Sequence, residues 1–174
     1  MNALTTMMLL PILGTLLLAV IPSDQVLRIK QAALATTLLV AISGVLAWVN
    51  FDSANTSFQF VQSVKWIPSF GINYAVGVDG LSLVLILMSV LLAPIVVLAG
   101  WKESEGGRWS AKVFYMLILV LETMMIGVFA ATDVFLFYVI FEAMLIPVYF
   151  LIGGYGSGDR AAAAVKFLLY SLFG

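Results

Sequence analysis

Three ionisable side chains stand where a chain this apolar has little reason to carry charge: Glu122, Glu142 and Lys166. Glu142 lies inside Val134-Phe-Leu-Phe-Tyr-Val-Ile-Phe-Glu-Ala-Met-Leu-Ile-Pro-Val-Tyr-Phe-Leu-Ile152, which has no other charge and is long enough to cross a bilayer. Acids at that depth are costly, rare and usually functional. Glu122 occupies the preceding apolar run, and the two runs are joined by Ala131-Thr132-Asp133. Counted from that turn, the acids lie at depths that differ by roughly 3 Å on antiparallel helices, so both fit one layer near the midplane. Hydrocarbon disfavours the ionised form of a carboxylate, and a nearby cation restores it. A group that can be tipped either way is what a proton relay requires. The structural alternative is a neutral, hydrogen-bonded acid that pins helices together, and it explains Glu122 almost as well as a relay does.

Two further residues bear on this chemistry. Pro147 lacks an N–H, so the carbonyl of Ala143, one residue past the acid, is free to accept from water or a side chain. Lys166 lies about 8 Å into the last apolar run. It either snorkels to the headgroups or forms a buried ammonium that lines an entry path or modulates an acid.

The chain is 63% hydrophobic and 10% charged, far from the composition of a water-soluble domain. Histidine and cysteine are absent, which removes imidazole bases, thiolate nucleophiles, disulfides and the usual ligands of zinc, haem and copper. A net charge of −1 leaves no basic field for nucleic acid. Met124, Met125 and Met144 read as packing residues. Gly153-Gly-Tyr-Gly-Ser-Gly158 lacks the Gly-Lys-Ser/Thr ending of a phosphate loop and reads as a flexible connection.

The elements that must position these groups are helices, so the fold class is an all-α polytopic membrane protein. Five complete spans are expected at about 4–21, 31–49, 81–100, 112–131 and 134–153, with a sixth from Ala161 to Gly174. Those fourteen residues reach roughly 21 Å, so residues 1–174 read as one membrane domain forming part of a longer protein. No Lys or Arg precedes the first run, which argues for a retained helix over a cleaved signal peptide. Pro11 and Pro94 sit inside spans one and three as kinks without an assigned role.

Arg28, Lys30, Lys102, Arg108, Lys112 and Arg160 gather on the connections after spans one, three and five, and only Lys65 falls on the other side. The positive-inside rule then places the N-terminus outside and the basic connections in the cytoplasm. The long connection between spans two and three partly alternates on either side of Pro68-Ser-Phe-Gly71. It predicts a short external β-hairpin resting on the membrane, with Trp66 at the interface. Asp79 and Asp133 are placed to cap the spans that follow them.

Several of these segments resemble a known family. Phe70-Gly-Ile-Asn-Tyr-Ala-Val-Gly-Val-Asp-Gly-Leu-Ser-Leu-Val-Leu85 is similar to the entry of the third helix in the large antiporter-like subunits of respiratory complex I. The run from Gly127 to Ile152 resembles the fifth-helix signature of that family, and Ala163-Ala-Val-Lys-Phe-Leu-Leu-Tyr170 the start of its sixth helix.

The resemblance implies a proton-translocating subunit of NADH–quinone oxidoreductase with Glu142 as a key acid of its channel. It implies that the partners of that acid on later helices lie outside this sequence. It also implies that NADH, flavin, iron–sulfur clusters and quinone are bound by other subunits, with no cofactor on this chain. The expected partners are the other membrane subunits, lipid and protons, in a bacterial plasma membrane. Two other readings keep the same residues: a subunit of a multi-subunit cation/proton antiporter or membrane-bound hydrogenase, and a structural membrane scaffold whose acids only hold helices together.

Overall fold

The computed structural model describes residues 3–102, 104 and 107–173; Gly174, the expected end of the sixth helix, lies outside them. The elements are α1 (Ala3–Val20), α2 (Val26–Val49), β1 (Gln59–Ile67), β2 (Ile72–Val78), α3 (Gly80–Ala99), α4 (Ala111–Ala130), α5 (Val134–Tyr155) and α6 (Arg160–Phe173). The first five helices are long and apolar enough to cross a membrane. Leu13, Leu39, Leu91, Ile95 and Ile146 keep exposed side chains, as the outward faces of a membrane bundle do.

The interior falls into two layers. Near the hairpin, Leu4, Met7, Val40, Val76, Ile86, Val90 and Ile126 pack together. At the opposite end Leu18, Ile29, Ala33, Val97, Tyr115 and Leu119 form the second cluster. Small residues let the helices close. A Cβ on Gly14 would overlap the side chain of Thr36, and one on Gly44 would stand 2.8 Å from Val90 Cγ2. Close approach of this kind is the main source of attraction between helices in lipid.

β1 and β2 form an antiparallel hairpin in which Val64 pairs with Tyr74 and Lys65 with Asn73. A short 3-10 turn at Pro68–Phe70 joins them, and Gly71 takes the left-handed conformation (φ 68°) that closes it. The hairpin is tied down along its length. Thr5 Oγ1 donates to Gln62 Oε1 at 2.5 Å, the Thr132 N–H donates to the Ala75 carbonyl at 2.9 Å, and Trp66 lies 6.3 Å from Phe135, ring to ring.

Helix ends follow the sequence closely. Asp79 Oδ1 accepts from the Ser82 N–H, and the Asp79 N–H in turn donates to the Ser82 hydroxyl oxygen. Asp133 Oδ1 accepts from the N–H groups of Phe135 and Leu136. These backbone bonds hold both carboxyls below the usual carboxylate range.

Two expectations need correction. The second helix begins at Val26 rather than Gln31, so Arg28 and Lys30 lie in its first turns. Lys30 is almost fully buried there because its ammonium donates to the Trp101 carbonyl and sits 5.4 Å over the Trp101 ring. The glycine-rich segment is not all connection. α5 runs on through Gly153 and Gly154 to Tyr155, and the missing Cβ of Gly154 lets the Trp109 ring close against the helix.

Candidate functional site

The three groups singled out by the sequence occupy three different environments. Glu122 is eight residues before Ala130, the last residue of α4, and Glu142 is eight residues after Val134, the first of α5. Both therefore sit roughly 12 Å in from the hairpin end of their helices. They share a level but not a space.

Glu122 belongs to the stripe Ile118, Glu122, Met125 and Phe129. This stripe faces a groove of about 670 Å³ between α3, α4 and α5, to which α5 contributes Phe141, Met144 and Leu151. The Glu122 side chain is 2% exposed, and both of its oxygens lack a hydrogen-bond partner among the described residues. Ser89, nine residues into α3, lines the same groove at nearly the same depth. Its hydroxyl is spent on the Leu85 carbonyl at 2.9 Å. Thr123 spends its hydroxyl in the same way on Leu119 at 3.2 Å. Ser89 was not singled out by sequence; a serine in the middle of an apolar helix, away from the capping Ser82, was its only signal.

Glu142 is half-buried and points elsewhere. On α5 the side facing α4 carries Ile140, whose methyls stand 3.2 and 3.3 Å from the Cβ position of Gly127. Glu142 lies about half a turn away from it. It shares a stripe with Gly153, which packs on Ala164 of α6 at 3.6 Å from its Cβ position. Eleven residues separate Glu142 from Gly153, so Glu142 stands level with the C-terminal end of α6. The carboxylate thus faces the α5–α6 side of the bundle, while Glu122 faces the α3–α4–α5 groove.

Lys166 is exposed and only two residues beyond Ala164. It is roughly 13 Å short of the level of Glu142, farther than a lysine side chain spans. Among the described residues it makes no ion pair with either acid. Pro147 is buried and α5 continues through it without a break.

Among the described residues, six helices with one buried and one half-buried acid at mid-depth, a surface hairpin at one end and basic residues at the other make the build of a polytopic membrane protein. The comparisons agree. The family model described as "NADH-ubiquinone oxidoreductase chain 4, amino terminus" matches residues 4–128, and that described as "NADH:quinone oxidoreductase/Mrp antiporter, TM" matches residues 131–174.

NADH-ubiquinone oxidoreductase chain 4 of Arabidopsis thaliana is 38% identical over 172 residues, covering 98% of this chain and 34% of that protein. NADH-quinone oxidoreductase subunit M of Mycobacterium tuberculosis is 37% identical over 198 residues, covering 98% and 36%. F(420)H(2) dehydrogenase subunit M of Methanosarcina mazei is 42% identical over 125 residues, covering 72% and 25%. The chain belongs to the family of NADH–quinone oxidoreductase subunit M, also called chain 4. It spans about a third of the length of the curated relatives it matches.

Proposed function

We propose that the protein to which this chain belongs moves protons across a bacterial plasma membrane as a subunit of NADH–quinone oxidoreductase, with Glu142 as the switching acid. The observation that carries this reading is a half-buried carboxylate at mid-depth of a membrane-length helix in a chain of this family. A cation that approaches Glu142 and then withdraws would drive release and uptake of its proton. One pKa unit corresponds to about 1.36 kcal/mol. Carrying one charge across 100 mV requires about 2.3 kcal/mol. A change of about two units in proton affinity therefore matches the load.

Quinone reduction elsewhere in the assembly would supply the motion. The relatives' names mention NADH, NAD(P)H and F(420)H(2), so one helix set accompanies different electron donors. That supports donor and redox centres carried by other subunits. The basic connections would face the cytoplasm, with the hairpin and the N-terminus outside. Glu122 would act as a second acid. Lys166, on the basic side, would line an entry path and act on Glu142 only at a distance.

The test is Glu142→Gln in the complete, membrane-assembled protein. Pumping should fall severely while the complex still assembles. An unchanged proton-to-electron ratio rules out the relay. A loss of assembly with normal pumping per assembled complex favours the scaffold reading instead.

A further inference from the structure

The groove between α3, α4 and α5 holds a contradiction. Its walls are apolar: Met88, Leu92 and Val96 leave about half of their side chains exposed, and Met144 is partly exposed. Yet Glu122 lies in its floor with both oxygens unpartnered and 98% of its surface covered. A buried carboxyl that finds no donor costs far more than a paired one. Ser89 and Thr123 cannot relieve it while their protons are engaged with backbone carbonyls. Water is a poor substitute, because a groove this apolar offers it no second or third partner. Lipid chains would cover the walls and leave the acid as it is.

We propose that the groove seats one further membrane helix, apolar along its length and carrying a single hydrogen-bond donor side chain at the level of Glu122. That level is roughly 12 Å from the hairpin end of α4. The occupant's face would be narrow and built of small or flexible residues, because the cleft is about 670 Å³ in volume and flanked by three helices. The donor satisfies Glu122 whether the acid is protonated or ionised. The relatives, about three times the length of this chain, carry further sequence from which such a helix can come. The assignment is independent of any role for Glu142.

The experiment uses the native membrane assembly with a photo-crosslinking benzophenone side chain at Leu92, in the groove, and separately at Leu46, an exposed position on α2 outside it. The expected result is one predominant peptide adduct from Leu92, mapping to an apolar helix with a donor residue at mid-span, against lipid adducts from Leu46. Glu122→Leu should reduce the Leu92 adduct several-fold, and Glu122→Gln, which can still accept a hydrogen bond, should keep it. Lipid adducts alone at Leu92 would overturn the proposal. So would a peptide without a donor at that depth, or an adduct whose yield is indifferent to Glu122→Leu.

Discussion

The backbone N–H of Asn73 points at Oδ2 of Asp133, 3.4 Å away, while Oδ1 of the same carboxylate caps the first turn of α5. One side chain thus joins the surface hairpin to the helix that carries Glu142. The neighbouring Thr132–Ala75 bond and the Val76–Ala131 bridge continue the same seam. The hairpin is seated on the α4–α5 turn and fixes where α5 begins.

Asp133→Ala should therefore loosen two elements at once. Amides of Phe135 and Leu136 and those of β2 are expected to lose hydrogen-exchange protection together, with a thermal midpoint lowered by a few degrees. Loss confined to α5 would mean that the hairpin is held by other contacts. Its carboxyl, held below the ordinary 3.8 by backbone donors, contributes stability that is complete above the unfolded value. That contribution disappears as pH falls through the lower folded value. An acid melting profile should show this loss below about pH 4, and Asp133→Asn should remove it.

Lys112 donates to the carbonyls of Ala19 and Ile21 at 2.6 and 2.8 Å, closing the C-terminal end of α1 from the first turn of α4. Lys112→Met leaves both carbonyls without that donor. A loss of about 0.5–2 kcal/mol is expected, with Lys112→Arg recovering most of it. Thermal melts in lipid nanodiscs measure this directly.

Gly14 permits the contact of α1 with α2 at Thr36. Gly14→Val should cost about 1–3 kcal/mol by forcing the helices apart. Gly14→Ala should be rescued in part by Thr36→Ala, since the smaller side chain vacates the space. Equal destabilisation by the single and double variants would show that the overlap is relieved elsewhere.

Lys166 and Glu142 differ in depth by roughly 13 Å on adjacent helices. Lys166→Met should consequently leave far more proton transport than Glu142→Gln, measured as acidification per electron in sealed vesicles. Equal losses would require Lys166 to act on the acid directly, which this spacing does not allow.

Much of the architecture could be read from residue order alone. Runs of about twenty apolar residues admit one solution in hydrocarbon, the helix, because backbone groups there find no other partners. Asp79 before Gly80 and Asp133 before Val134 mark helix starts through local hydrogen bonds, and alternation around Pro68 marks the hairpin. The level shared by Glu122 and Glu142 follows from counting along two helices joined by a tight turn. Direction around each helix was not available in this way. The outer faces of membrane helices are as apolar as the inner ones, so periodicity does not say which side meets a neighbour. Packing decided that Glu122 looks into the α3–α4–α5 groove, that Glu142 looks toward α6, and that Lys166 stays far from both. It also decided that Lys30 and Lys112 end on carbonyls of distant helix ends, since such bonds depend on which helices meet.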